Sequence, residues 1–242
     1  MSIGDAEIKT QERVIRFFKD PEILGYQYIG NLSDYQNKNI KEDRLRQYLR
    51  LKGYADKLID AAIMQLQQEA GNLSRGVYDA NKTVYSRLKY GIPVSESPEK
   101  PPVTVQLVDE EKPLNNDFAI AEEVTVVEQS EKRPDLVVYL NGIAVAVIEL
   151  KRSSISVSEG IRQNLTNQKN SFIQSFFTTM QFCMAGNESE GLRYGTLLTG
   201  EKFYMEWKDD GFKEHEEERD PVDVRISKTC EGIENKLLKQ IY

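Results

Sequence analysis

The chain has 242 residues, of which 39% are hydrophobic and 29% are charged, a composition typical of a globular protein with one or two domains. Its longest unbroken apolar run, Ile143 to Ile148, is far shorter than the ~20 residues that cross a bilayer, so no membrane association is expected. The N-terminus lacks a signal-peptide pattern, and two cysteines are too few for a disulfide framework, so we expect a cytoplasmic protein. Two cysteines and one histidine also exclude a Cys₄ or Cys₂His₂ zinc site. The net charge of −7 does not indicate a nucleic-acid binder, although a local basic patch is enough for phosphate contacts.

Helical periodicity dominates the first hundred residues. Helices are predicted around 14–18 and over 43–51 and 56–70, and a strand is predicted near 26–29. The segment 72–90 is ambiguous and carries four basic residues, for which a solvated face and a contact with DNA phosphates are both open. We expect residues 1–100 to form a helical N-terminal part that packs on the core that follows.

From about residue 101 the hydrophobic period changes from 3.6 to 2, which predicts β-strands. Strands are predicted over 103–108, 118–127, 136–140, 143–150, 181–185 and 192–198, and a helix, in one or two pieces, over 158–177. This mixture predicts an α/β fold with a mixed central β-sheet flanked by helices, its core spanning 101–207. Residues 208–242 are expected to form a charged linker and a closing helix over 226–241.

Acidic and basic side chains lie at the ends of two neighbouring apolar strands. Asp135 precedes the first strand, and Glu149 and Lys151 end the second. Residues two apart share one face of a strand, so Glu149 and Lys151 project together from the rim of the sheet. Between the strands, Asn141-Gly142 is a strong hairpin signal.

The register of this hairpin decides whether the carboxylates meet. A strict two-residue loop at Asn141-Gly142 places Asp135 opposite Ile148, and therefore on the other face from Glu149. A three-residue loop with Gly142 in the left-handed region, or a bulge near Asp135, restores a common face. A metal site at these residues therefore predicts an irregular hairpin.

Carboxylates that converge in this way have a specific chemistry. Asp135 and Glu149 would hold Mg²⁺, or Mn²⁺ in its place, with the Leu150 carbonyl and waters completing the coordination. Such a metal polarises a phosphoryl oxygen and lowers the pKa of bound water, while Lys151 orients or helps to deprotonate that water and balances charge on phosphorus. The alternative is an ordinary surface Glu–Lys pair beside a turn-capping Asp, because the bare pattern arises in about one random chain in ten.

The stretch from Arg133 to Lys151 resembles the nuclease motif of the PD-(D/E)xK superfamily. More narrowly, it resembles the N-terminal nuclease domain of the restriction (R) subunit of type I restriction-modification enzymes. The similarity runs from about residue 114 to Trp207 and includes the segments 116–127, 181–187 and 193–196. It implies a restriction-endonuclease-like core in which Asp135, Glu149 and Lys151 serve metal-dependent cleavage of double-stranded DNA.

The same resemblance implies further site residues. The family commonly carries a Gln-x-x-x-Tyr motif on the helix after the catalytic strand; Gln163 matches the glutamine, but Asn167 stands at the tyrosine position. Gln163 is therefore a candidate for positioning DNA or a catalytic neighbour. An acidic residue of the first helix often joins the site, and Glu12 is the candidate metal ligand, with a solvated helix charge as the alternative. Candidate phosphate contacts, which a plain surface explains equally well, are Arg152, Ser153, Arg162 and Lys169.

Whole R subunits of this family also contain an ATP-driven translocase and assemble with modification and specificity subunits. We expect ATP binding, translocation and sequence specificity to belong to an absent motor domain and to those subunits, because no motif in this sequence supplies them. The main expectation is an Mg²⁺-dependent endonuclease domain. The alternatives are another PD-(D/E)xK nuclease of repair or recombination, and an inactive nuclease-like module that binds DNA or docks a subunit.

Overall fold

The computed structural model of the chain describes residues 3–97 and 99–206. The α-helices are α1 (Ile3–Lys19), α2 (Glu42–Leu51), α3 (Asp56–Gly71), α4 (Val77–Tyr90) and α5 (Val157–Asn167). The strands are β1 (Gln27–Asn31), β2 (Ile92–Val94), β3 (Val103–Val105), β4 (Phe118–Glu122), β5 (Val126–Val127), β6 (Glu131–Lys132), β7 (Leu136–Leu140), β8 (Ile143–Leu150), β9 (Phe182–Asn187), β10 (Gly191–Gly195) and β11 (Met205–Glu206). Short 3₁₀ helices occupy Pro113–Asn115, Gln174–Thr179 and Glu201–Phe203.

Seven of these strands form one mixed sheet, in the order β1-β4-β7-β8-β9-β10-β11. The β1–β4 and β8–β9 pairs are parallel, and the other neighbouring pairs of the sheet are antiparallel. Two small antiparallel pairs, β2–β3 and β5–β6, lie outside it. The structure therefore confirms a mixed α/β fold whose central sheet is flanked by helices.

Helices cover both faces of the sheet, because its central strands are apolar on both sides. On one face, Val14 and Phe18 of α1 pack against Ile148 and Leu150 of β8. The other face is covered by α5 and by the 3₁₀ helix at Gln174–Thr179. Successive residues at the end of β8 therefore face opposite layers.

Helices α2, α3 and α4 form a second apolar cluster together with β2 and β3, and Ile143 at the start of β8 joins it to the sheet. The N-terminal part also supplies β1, the first strand of the seven. The central sheet thus draws strands from both sides of residue 100.

Four segments differ from the sequence prediction or resolve an ambiguity in it. The ambiguous segment 72–90 contains the helix α4. The buried side chains Val77, Val84 and Leu88 of this helix pack against the core. The strand expected over 118–127 stops at Glu122, because Glu123 has a φ of 51° and turns the chain. The strand expected over 192–198 stops at Gly195, and Leu198 beyond it is also left-handed, with a φ of 60°. The strand expected over 103–108 is limited to β3, outside the main sheet.

The expected helix over 158–177 is found in two pieces, α5 and the 3₁₀ helix at Gln174–Thr179. The linker and helix expected over 208–242 lie outside the described residues. Within the described part of the chain, no helix combines the length and the hydrophobicity that crossing a membrane requires.

Candidate metal and phosphodiester site

The β7–β8 hairpin is irregular, as the metal-site hypothesis requires. Asn141 and Gly142 form a two-residue turn with φ values of 52° and 82°, the left-handed geometry that joins twisted strands most readily. Near the turn the pairing is that of a strict two-residue loop, but it shifts by one residue between Tyr139 and Val138. The extra residue, Val145 on β8, is a bulge close to the turn rather than close to Asp135.

The bulge changes which side chains meet at the rim of the sheet. Beyond it, Leu136 pairs with Ile148, so that Asp135, the preceding residue, lies beside Glu149. Without the extra residue, Asp135 would be opposite Ile148 and would face the layer of α1. The two carboxyl groups therefore share the face that α5 covers.

Glu149 is completely buried. Its Oε2 accepts a hydrogen bond of 2.6 Å from Nε2 of Gln163, whereas its Oε1 has no partner among the described residues. Burial, followed by the charge of Asp135, raises the pKa of Glu149 well above its ordinary value of 4.5, and the ammonium group of Lys151 only partly offsets this. Glu149 thus has one carboxyl oxygen held by a hydrogen bond and one that accepts none from the described residues, both in a buried site.

Asp135 is held by the backbone of the neighbouring strand. Its Oδ2 accepts a hydrogen bond of 2.7 Å from the N–H of Leu150. Burial raises the pKa of Asp135 from 3.8 to about 6, although Lys151 and the Leu150 N–H lower it, and the charges of Glu123 and Glu7 raise it further. With a pKa of about 6, the carboxyl group of Asp135 ionises close to neutral pH.

Lys151 lies beside the two carboxyl groups and contacts α1. Its Nζ is 3.3 Å from Oε1 of Glu7 and donates a hydrogen bond of 3.1 Å to the carbonyl oxygen of Leu150. Glu7 was missed by sequence reasoning. No apolar pattern pointed to it, because Gln11, which continues the buried face of Val14 towards Glu7, is polar.

The structure does not bring Glu12, the candidate acidic residue of the first helix, to the carboxyl pair. Glu12 lies five residues after Glu7, about 140° around the helix at 100° per residue. It is exposed and lines a separate cavity with Lys19 and Tyr28. Among the described residues, Glu7 is therefore the acid that α1 places next to Lys151.

Residue 160 is glycine, and helix α5 can therefore approach Glu149 closely enough for Gln163 to donate a hydrogen bond to its carboxyl group. A β-carbon on Gly160 would lie 2.9 Å from Cβ of Ala185 and 3.4 Å from Cβ of Glu149. Asn167, one turn after Gln163, is buried at the last position of α5. Gly160 gave no sequence signal, since glycine inside a helix is only unfavourable by propensity.

The four candidate phosphate contacts differ in their surroundings. Arg162 donates two hydrogen bonds of 2.9 Å to Glu201 and one of 2.8 Å to Glu159, so its charge is already neutralised. Arg152 is partly exposed, and Ser153 and Lys169 are exposed. Arg162 is therefore exposed but already ion-paired.

The donor set fits a hard divalent cation. Asp135 and Glu149 supply carboxylate oxygens and Leu150 a backbone carbonyl, and the unpartnered Oε1 of Glu149 is a buried acceptor that a cation would satisfy. Among the described residues, no group of three or more His, Cys, Asp or Glu side chains is arranged to hold a metal ion. Mg²⁺ nevertheless commonly binds through one or two carboxylates and keeps several waters, so two carboxylates are enough for it.

The mixed seven-stranded sheet flanked by helices is consistent with a restriction-endonuclease-like fold. The family model described as type I restriction enzyme R protein N terminus matches residues 7–203, and the chain belongs to this family. This match confirms the resemblance to the N-terminal part of the type I restriction R subunit. Comparison with curated proteins found no match.

Proposed function

We propose that this chain is the metal-dependent endonuclease domain of a type I restriction R subunit, and that it hydrolyses phosphodiester bonds of double-stranded DNA. The observation that carries the proposal is the free oxygen of buried Glu149 beside Asp135 and Lys151. A buried polar atom without a partner costs about 1–3 kcal/mol, and a bound cation would remove that cost. The family to which the chain belongs supports the same reading.

In this proposal each residue has one role. Mg²⁺ bound by Asp135 and Glu149 would polarise a phosphoryl oxygen and lower the pKa of its bound water. The Leu150 N–H and Gln163 each hold one oxygen of a carboxyl group, so that the other oxygen of Asp135 or Glu149 would remain to bind the ion. Lys151 would exchange its contact with Glu7 for the scissile phosphate and balance the charge that develops there.

Specificity and movement along DNA are proposed to come from elsewhere. Membership of the R-subunit family supports DNA as the substrate and restriction-modification subunits as partners. Recognition of a sequence, ATP binding and translocation would be supplied by other domains and subunits. This domain would then need only phosphate contacts near its site, for which accessible Arg152, Ser153 and Lys169 are the candidates.

Nicking of supercoiled plasmid DNA tests the proposal. We expect nicking by the wild type with Mg²⁺ or Mn²⁺ and none with EDTA. The variants Glu149→Gln and Lys151→Ala should lose roughly 100-fold or more in rate, since the first removes a metal ligand and the second removes the positive charge that balances the phosphate. Glu12→Gln is the matched control and should nick as the wild type does, because Glu12 is exposed and distant from the pair in the helix register.

A second candidate function is an inactive nuclease-like module that binds DNA or docks a subunit. The observation that favours it is Asn167, which is buried where the family commonly has tyrosine. This reading predicts DNA binding without metal-dependent nicking. Nicking by the purified chain that survives both Glu149→Gln and Lys151→Ala would not depend on this site and would contradict the main proposal.

A further inference from the structure

A stripe of tyrosines and lysines runs along the outer side of α4. Its members are Tyr78, Lys82, Tyr85 and Lys89, whose spacing of four, three and four residues places them on one side of the helix. All four side chains are exposed, and the two tyrosines are 59% and 47% exposed. These four residues are referred to below as the α4 stripe.

Helix α4 packs firmly on the core, so the α4 stripe projects from a fixed support. On its buried side, Val77 and Leu88 belong to two different apolar clusters. Asn81 donates hydrogen bonds of 3.1 Å and 2.8 Å from Nδ2 to the carbonyl oxygens of Thr178 and Met180. These contacts fix the rotation of the helix and therefore the direction in which the α4 stripe faces.

Helix α4 belongs to the layer that covers the sheet face of Glu149. Val77 of α4 and Val147 of β8 lie in one apolar cluster. Val147 and Glu149 are two residues apart on β8 and project from the same face. The α4 stripe and the candidate metal site are therefore on the same side of the central sheet.

The charges around the α4 stripe favour an anionic partner. No acidic residue occurs from 80 to 95, although 39 of the 242 residues are acidic. Asp79 of α4 is ion-paired with Arg75 at 3.3 Å, and Glu69 of α3 with Arg87 at 2.7 Å. The two lysines of the α4 stripe have no ion-pair partner among the described residues. Their positive charges are thus available to phosphate groups.

The tyrosines indicate the form of nucleic acid that fits. Tyr78 and Tyr85 are about 10.5 Å apart along the helix axis, and Lys82 lies between them. Exposed tyrosine rings are enriched where another molecule binds, because the ring is apolar and the hydroxyl is polar. An unpaired strand offers both phosphates and open base faces, and alternating cations and aromatic rings are the groups that bind it without sequence preference.

We propose that the α4 stripe binds single-stranded DNA, with its tyrosines stacking on bases and its lysines contacting phosphates. The choice of DNA as the nucleic acid rests on the proposed function, in which the chain cleaves duplex DNA. The surface itself is separate from the residues proposed to bind the metal ion. It gives the domain a place to hold a strand that is not paired.

Fluorescence anisotropy of a labelled oligodeoxythymidylate of about 20 nucleotides, titrated with the full chain in EDTA, tests the proposal. Combining Tyr78→Ala and Tyr85→Ala should weaken binding roughly 100-fold, about tenfold for each lost stack, whereas the corresponding phenylalanine variants keep the rings and should bind as the wild type does. Combining Lys82→Ala and Lys89→Ala should reduce the slope of log affinity against log salt by about 1.4.

A charge-matched control comes from the opposite face of the sheet. Arg16→Ala with Lys19→Ala removes two exposed charges from α1 and should leave the affinity unchanged. No binding by the wild type, unchanged binding by the tyrosine-to-alanine variant, or an equal loss in the α1 control would overturn the proposal. Competition by poly-L-glutamate as effective as that by the oligonucleotide would also overturn it, because an acidic protein would then fit equally well.

EDTA separates this test from the test of the proposed function. Metal-dependent cleavage cannot occur in it, so the affinity is measured independently of nicking. Tyrosine-dependent binding by a chain that does not nick plasmid DNA would support the α4 stripe while the proposed function fails. Nicking that depends on Glu149, together with binding that does not depend on the tyrosines, would support the proposed function and overturn this inference.

Discussion

Replacing Asp135 by asparagine should stabilise the metal-free protein at neutral pH. Burial beside Glu149 raises the pKa of Asp135 from 3.8 to about 6 in the folded state. The folded protein therefore binds this proton more tightly than the unfolded chain does. Its contribution to stability is fully present below about pH 4 and is lost as the pH rises through 6.

The magnitude follows from the pKa shift. Each pKa unit corresponds to about 1.4 kcal/mol, so a shift of about two units lowers the free energy of unfolding by up to about 3 kcal/mol between pH 4 and pH 7. Asparagine cannot ionise, but its carbonyl oxygen can still accept the hydrogen bond from Leu150. The variant should therefore lack this pH-dependent loss.

Urea unfolding in EDTA, followed by circular dichroism at several pH values from 4 to 8, measures the effect. The free energy of unfolding of Asp135→Asn minus that of the wild type should increase by up to about 3 kcal/mol across this range. If asparagine fits the site less well than aspartate, the free energy of unfolding changes by the same amount at every pH, and this change does not affect the pH dependence.

Glu69→Gln provides a control of opposite sign. Burial raises the pKa of Glu69, but hydrogen bonds from Arg87 and Gln65 outweigh burial, and the net pKa is lowered. Its contribution to stability is present above the unfolded pKa and is lost as the pH falls through the folded pKa, so Glu69→Gln should cost more at pH 6 than at pH 3.5.

A pH-independent difference for Asp135→Asn would refute the reasoning, because Asp135 would then titrate as an ordinary exposed carboxyl.

Further predictions concern the supports of the site and its surface. Gly160→Ala should lower the free energy of unfolding by about 1–3 kcal/mol in urea, because a β-carbon there lies 2.9 Å from Cβ of Ala185, and added Ala185→Gly should restore most of it. Failure of the rescue would argue against this contact. Asn141→Ala should cost about 3 kcal/mol in the same assay, because it removes three hydrogen bonds from a buried left-handed turn residue. Arg152→Ala should weaken DNA binding and reduce the salt slope by about one, whereas the ion-paired Arg162→Ala should not; equal effects would contradict the structure.

Local chemistry was enough to predict the hairpin but not its bulge. Asn141-Gly142 indicates a two-residue turn because both residues accept positive φ, and the structure has that turn. The extra residue, Val145, depends on partners distant in sequence. Its carbonyl accepts a hydrogen bond of 2.7 Å from the N–H of Gln181, which no local pattern specifies. The metal-site hypothesis could therefore predict an irregular hairpin, but no local pattern could predict the position of the bulge.

The supporting residues of the candidate site show the same limit. Asp135, Glu149 and Lys151 carry a recognisable spacing, and Gln163 follows it at a helical distance. Glu7 reaches Lys151 only because α1 packs across the sheet, a contact between residues 144 positions apart. Choosing between Glu7 and Glu12 required the rotation of α1 about its axis, and that rotation is set by packing rather than by local sequence.

Calorimetric titration of Mg²⁺ or Mn²⁺ into the metal-free chain tests the central claim most directly. Wild type, Glu149→Gln and the control Glu12→Gln are compared, with circular dichroism to confirm that all three are folded. We predict that wild type and Glu12→Gln bind the ion alike and that Glu149→Gln loses most of the binding heat, because it removes a carboxylate ligand from the site. Binding by Glu149→Gln equal to that of the wild type would contradict the claim that Glu149 is a metal ligand.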